Sequence, residues 1–118
     1  MAKGALFVGW GPIITGREKV APQVLQEAMV YLERLRKQGV VDSVDVVVLE
    51  PHGGELDGFV LIKGDKDALA KLRVDDEFVK VIVGVQLVHA KVGVVWGYSG
   101  AEMAGLFRMW DEQEAKLV

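Results

Sequence analysis

Residues Val40–Lys63, VVDSVDVVVLEPHGGELDGFVLIK, decide the fold. Two runs rich in branched apolar residues, Val40–Glu50 and Leu56–Lys63, flank the turn composition Pro51-His52-Gly53-Gly54-Glu55. β-Branched side chains pack well on a pleated surface, and proline and glycine supply the dihedrals of a turn. The pattern predicts a β-hairpin in the middle of the chain.

Upstream of it, Gly4–Trp10 reads as a strand, ended by Gly9, Gly11 and Pro12. A helix is expected over Arg17–Gln38. Val24, Leu25, Ala28, Leu32 and Leu35 make an apolar stripe at helical spacing, and Gly39 is a suitable residue just past its end. Thr15 and Glu18 have the spacing of a capping box. Pro22 conflicts with a straight helix, because it lacks an amide hydrogen and its ring clashes with the preceding turn. One helix bent at Pro22 is the preferred reading; a start at Ala21 with Pro22 in the first turn is the alternative.

Downstream, Asp65 is placed to cap a short helix ending near Leu72, and Asp75 a second one through about Val83. Residues 78–85 read two ways. Val79, Val81, Val83 and Val85 alternate like a strand, while Asp76 and Glu77 favour the first turn of a helix. Gln86–Tyr98 has a period of two and reads as one long strand. Val88, Ala90, Val92, Val94 and Trp96 point one way; Leu87, His89, Lys91, Gly93, Val95 and Gly97 point the other. Ser99 and Glu102 have capping-box spacing before a final helix. Met103, Leu106, Phe107 and Trp110 share a face of that helix, with Trp110 as its anchor, and Glu112–Val118 are expected to fray.

The order is β-α-β-β-α-β plus one helix. It predicts a single α+β domain over residues 1–118, with a ferredoxin-like fold and an antiparallel four-stranded sheet covered by helices on one face. Phe59, Leu61 and Lys63 are expected on the other, bare face, together with His89 and Lys91. An apolar bare sheet calls for a cover, and a second copy of the chain, giving a homodimer, is the simplest one.

Composition narrows the function classes. The 118 residues are 51% hydrophobic, with a net charge of −3, and a pI near 5.4. An acidic chain lacks the basic field that nucleic-acid binding needs. There is no cysteine, which removes disulfides, thiolate nucleophiles and sulfur-ligated metals. No run of 18 or so apolar residues is present to span a membrane, so the cytoplasm is the expected compartment.

Taken whole, the chain resembles the dimeric α+β barrel superfamily, which includes cofactor-independent monooxygenases, muconolactone-isomerase-like enzymes and uncharacterised small proteins. The residues that carry the resemblance are Leu6-Phe7-Val8-Gly9-Trp10-Gly11, Glu50-Pro51-His52-Gly53-Gly54, and Leu72-Arg73-Val74-Asp75-Asp76-Glu77-Phe78. It spans nearly the whole chain as topology and soft motifs. It implies the ferredoxin-like fold and a homodimer, and no catalytic signature transfers with it.

Each candidate site has a plain structural reading beside it. Gly11–Glu18 falls short of a phosphate-binding loop: Arg17 replaces the lysine, Glu18 the magnesium-binding hydroxyl, and Pro12 deletes an amide. Arg17 either holds a carboxylate or enolate beside the helix start or is a solvated surface cation. His89 is the catalytic candidate, an imidazole on a rigid strand near Lys91; the plain reading is a hydrogen-bonded structural histidine. His52 sits in the turn. Trp10 and Tyr98, with Trp96, are placed to wall a pocket for a flat or fatty ligand, with Phe59 and Lys91 on its sheet face, or else simply to pack core and interface. Two histidines without an acidic cluster do not make a metal site, and no cofactor is expected. The leading function is a homodimeric binder of a small apolar or aromatic molecule in the barrel cavity, acting as a cofactor-independent monooxygenase or isomerase. The alternative is a non-enzymatic dimeric interaction module with no ligand. A weaker reading is haem binding through His52 or His89.

Overall fold

β1, Lys3–Trp10, is one of the two inner strands of the sheet in the computed structural model, which describes residues 2–117. Met1 and Val118 lie outside the described residues; of Glu112–Val118, expected to fray, Glu112–Ala115 instead continue the last helix. The elements follow as α1 (Ala21–Lys37), β2 (Ser43–Val48), β3 (Gly58–Asp65), α2 (Lys66–Arg73), α3 (Asp76–Gln86), β4 (Gly93–Gly97) and α4 (Glu102–Ala115). The sheet order is β2-β3-β1-β4, and every neighbouring pair is antiparallel. This is the ferredoxin-like α+β arrangement. No helix among the described residues is long and apolar enough to cross a membrane.

The central hairpin pairs Val44 with Ile62, Val46 with Val60 and Val48 with Gly58. Its strands are shorter or shifted relative to the sequence pattern. Val40 and Val41 belong to the turn after α1, where Gly39 adopts φ +77°. The Gly39 amide donates to the Arg36 carbonyl and the Val40 amide to the Leu35 carbonyl, each at 3.0 Å. This is a Schellman closure, which glycine makes without strain.

Strand parity then sorts the side chains. Leu6, Val8 and Trp10 of β1 and Val60 and Ile62 of β3 join Ala28, Tyr31, Leu32 and Leu35 of α1, Leu69 and Leu72 of α2, and Phe78 and Val85 of α3 in one buried cluster. On the opposite face, Phe7 pairs with Leu61 and Val95 across its two neighbours, and its ring stacks on Phe59 at 5.2 Å. None of α1, α2 and α3 covers that face.

Four expectations need correction. First, α1 starts at Ala21, not Arg17, with Pro22 in its first turn and no side-chain cap. Proline fits there because its missing amide would be unpaired anyway. The Glu18 carboxylate accepts from the Gly16 amide at 2.9 Å, and Thr15 is not in a capping box. Second, residues 78–85 are helical: Asp75 caps α3 by accepting from the Glu77 amide. Third, β4 covers only Gly93–Gly97. α3 runs on to Gln86, the His89 amide donates to the Val85 carbonyl at 2.9 Å, and Lys91 takes the left-handed φ of 56°, which breaks an extended strand. His89 is therefore not on a long strand, although Val88, Val92, Val94 and Trp96 do pack on the core side. Fourth, α4 is preceded by Ala101 without a side-chain cap, so Ser99 and Glu102 form no capping box, and α4 buries no residue. Trp110, expected as its anchor, is 64% exposed.

Candidate functional site

Two places in the fold gather candidate residues, and they lie at opposite ends of β1. One surrounds His89. Residues 88–90 run beside the chain that leaves β1. The Gly11 amide donates to the Ala90 carbonyl (2.7 Å), the Ala90 amide to the Pro12 carbonyl and the Ile14 amide to the Val88 carbonyl (both 2.8 Å). This irregular ladder buries His89 to 7% exposure. Its Nδ1 lies 2.8 Å from the Gly11 carbonyl. A carbonyl can only accept, so Nδ1 carries the proton and the neutral ring keeps its lone pair on Nε2. Every fully buried side-chain nitrogen or oxygen among the described residues has a partner. Nε2 makes no hydrogen bond among these residues, so it reaches solvent. Arg17 Nη1 donates to the Leu87 carbonyl at 3.1 Å, which holds that guanidinium on the same segment. The Trp10 ring lies 6.3 Å from the imidazole.

Trp10 itself is in the core at 3% exposure. It lies against Gly58, where a Cβ would come within 2.6 Å of the indole. It packs the helix side of the sheet, where it lines a small apolar void of about 20 Å³ within the core and not the cavity that Tyr98 lines.

The other place is a cavity of about 290 Å³ between α4 and the edge of the sheet where β1 begins and β4 ends. Trp96, Gly97 and Tyr98 line one side, Glu102, Gly105, Leu106 and Met109 of α4 the other, and Lys3, Gly4 and Lys66 complete it. The α4 residues recur at helical spacing, so one stripe of the helix faces the cavity. The backbone shapes it as much as the side chains: a Cβ added at Gly97 or Gly105 would meet nothing within 4 Å. The Trp96 ring is held from behind by the Arg73 guanidinium, 5.7 Å from its centroid, whose Nη2 donates to the Val94 carbonyl at 3.0 Å. Lys3 is paired with Asp42 at 2.8 Å, which raises the pKa of its ammonium through that hydrogen bond and charge. The volume is at the lower end of the range for small-molecule sites, about 300 Å³.

The candidates named from sequence are thus divided. Tyr98 lines the cavity with Trp96. His89, Arg17 and Trp10 belong to the opposite end. Phe59 sits on the bare face against Phe7, with Leu61 and Lys63 as expected but without His89. Lys91 is exposed on its left-handed turn. His52 is in the hairpin loop, its Nδ1 3.0 Å from the Glu50 carbonyl. No group of three histidine, aspartate or glutamate side chains among the described residues is placed to hold a metal. Leu106, Met109 and Gly105 were missed as lining residues. Their signal was the second apolar stripe of α4, hidden because Met103, Phe107 and Trp110 make the stronger one.

No protein-family model and no curated protein matches the chain. Solved structures do match it. A dimeric ferredoxin-like protein of unknown function from a Jannaschia species is 17% identical, with a TM-score of 0.65 over 83% of this chain and 100% of that one. An ethyl tert-butyl ether D (EthD) family protein from Bacillus halodurans is 10% identical, with a TM-score of 0.63 over 84% of this chain and 100% of that one. SnoaB, a cofactor-independent oxygenase from Streptomyces nogalater, is 12% identical, with a TM-score of 0.53 over 85% of this chain and 98% of that one. At these identities the likeness is one of fold: the chain has the ferredoxin-like architecture found in dimeric proteins of unknown function and in a cofactor-independent oxygenase.

Proposed function

We propose that the chain works as a homodimer that binds a small apolar or aromatic molecule. The observation that carries this reading is the cavity beneath α4, walled by Trp96, Tyr98, Leu106 and Met109. It offers flat and flexible apolar surface, a phenol as a polar handle and the Lys66 ammonium at its margin. Self-association is supported by the uncovered sheet face with its stacked Phe7 and Phe59, and by the description of similar folds as dimeric. The cytoplasm is the compartment proposed for it.

The test uses an anilinonaphthalene sulfonate probe, an aromatic anion, with native mass spectrometry of gently purified protein. The expected result is a dimer with one saturable site per chain. Gly105→Leu, which fills the cavity without touching the core, should abolish uptake and leave the melting temperature unchanged. Equal uptake by Gly105→Leu rejects the cavity as the site. A dimer with no probe site favours a pure interaction module.

A second reading gives the protein an enzymatic step at His89. It is favoured by the tautomer that the Gly11 carbonyl imposes, which leaves the Nε2 lone pair without a partner in the fold and free to accept a proton from a ligand. In that case a ligand would sit at the Trp10 end of β1, away from the α4 cavity. His89→Gln should then abolish turnover while probe uptake at the cavity persists. Full turnover in that variant removes His89 from the chemistry.

A further inference from the structure

The bare face of the sheet is uneven, and its relief says how a second copy fits on it. The register gives β3 the tallest row there, Phe59, Leu61 and Lys63, and leaves β4 the lowest, Gly93, Val95 and Gly97. A Cβ added at Gly93 or Gly97 would meet nothing within 4 Å, so the β4 edge of this face is a trough. β2 stands beside the ridge with Asp45 and Val47, and β1 beside the trough with Ala5. At the centre Phe7 pairs with Leu61. The face thus rises from the β4 edge towards β3.

The area leaves room for a partner. The chain exposes 7894 Å², against about 6,300 Å² expected for a compact monomer of its mass. The excess, roughly 1,600 Å², is about twice what each partner of a standard interface buries. The chain therefore carries surface enough for a second copy even with part of the excess assigned to α4, which buries no residue.

We propose that two copies pack bare face on bare face about a two-fold axis running close to the strand direction, so that β3 and β2 of one copy lie over β1 and β4 of the other. This rests on the dimer of the preceding reading and specifies its axis. Such an axis keeps each end of the sheet over the same end of its twin and exchanges the two edges. Leu61 then meets Phe7 of the second copy, Lys63 meets Ala5, and Val47 meets Gly93. Apolar surface is matched at the centre and large residues lie over small ones around it. Asp45 comes over Val95 at the outer edge, where water reaches its carboxylate. Each contact is made twice, as an isologous dimer requires. An axis running across the strands fails on shape and on charge. It sets ridge on ridge, with Phe59 over Lys63, and trough on trough, with Gly93 over Gly97. It also opposes the two Asp45 carboxylates, and like charges set against each other disfavour a pairing. Because the proposed axis keeps the ends together, the hairpin loop of residues 49–57 in one copy comes over the end of the other sheet where the chain leaves β1, beside His89. A ligand held at His89 would be enclosed by both chains.

The chain contains no cysteine, so introduced thiols report cleanly. In the Asp45→Cys/Val95→Cys double variant, a short bifunctional maleimide should yield a covalent dimer in high proportion. Neither single variant should do so, because each thiol then stands at the opposite edge from its own twin. Within one chain the two positions lie three strand spacings apart, about 14 Å, so an internal link does not compete. In an independent measurement, Gly93→Val fills the trough beneath Val47 of the second copy and should weaken dimerisation about tenfold or more. Adding Val47→Ala to that variant should restore it. Absence of the cross-link in the double variant, with wild type dimeric by native mass spectrometry, overturns the axis and leaves the dimer reading intact. A covalent dimer from Val95→Cys alone also overturns it, since that outcome sets like edge on like edge. So does undiminished dimerisation of Gly93→Val, or a loss that Val47→Ala does not relieve. A monomeric wild type sinks both readings together.

Discussion

Tyr31 and His89 show how single residues here are governed by what surrounds them. Tyr31 is buried on α1 under the Arg34 guanidinium, which lies 5.3 Å from the ring centroid and is itself paired with Glu77 at 2.7 Å. Burial, reinforced by the Glu77 and Asp75 carboxylates, pushes the phenol up to about 12. The folded state thus holds its proton where the unfolded chain has lost it. The stability linked to this group is complete below the ordinary tyrosine value of 10.0 and is lost as pH rises towards 12. Denaturant melts across that window should show the decline in wild type and a smaller one in Tyr31→Phe. His89 also has a structural duty whatever its chemistry. Its Nδ1 hydrogen bond ties the segment after α3 to the end of β1. His89→Ala leaves the Gly11 carbonyl without its donor and should cost about 1–3 kcal/mol in thermal or chemical unfolding. A side chain at position 11 is excluded as well, because a Cβ there would meet the Ala90 carbonyl oxygen at 2.7 Å and the Glu55 carbonyl oxygen at 2.9 Å.

At the scale of the element, caps decided what periodicity left open. Valines at 79, 81, 83 and 85 alternate, yet the segment is helical because Asp75 satisfies the Glu77 amide at 3.1 Å and because Phe78 and Val85, seven residues apart, are both buried against the core. Asp75→Ala should therefore destabilise the fold by about 1 kcal/mol, visible as a shift in the urea midpoint with unchanged slope. The opposite happened at α1 and α4. Both have sequences that read as capping boxes, and neither uses one. At α1 the rigid ring of Pro22 sets the start. At α4 the Glu102 amide bonds the Ser99 carbonyl at 3.3 Å, so the backbone turn at Ser99 does the work expected of its hydroxyl.

At the scale of the whole molecule, the bare face of the sheet dominates. Phe7, Phe59, Leu61 and Val95 form an apolar surface on the side that α1, α2 and α3 leave open. Placing a charge at its centre should separate the subunits without disturbing the core on the other side. Phe59→Asp is expected to sediment as a 12.9 kDa particle at micromolar concentration with a native circular dichroism spectrum. A persistent dimer in that variant would show that the sheets do not meet at Phe59.

The order of strands and helices was legible in the chain itself, because alternation, helical stripes and turn residues are local signals that neighbours in sequence generate together. Parity within the central hairpin was legible for the same reason: Phe59, Leu61 and Lys63 share a face, as their spacing requires. The site was not. Trp10 and Tyr98 both end strands, but antiparallel pairing of β1 with β4 sends them to opposite ends of the sheet, one into the core and the other to a cavity. His89 left the expected strand because Lys91 turns left-handed and α3 overruns its pattern, and both depend on packing against residues far away in sequence. The free stripe of α4 carries the same lesson. Sequence marks Met103, Phe107 and Trp110 as one apolar face, and only the tertiary structure shows that the chain leaves Phe107 and Trp110 exposed, because α4 lies beyond the edge of the sheet and packs its other stripe against it.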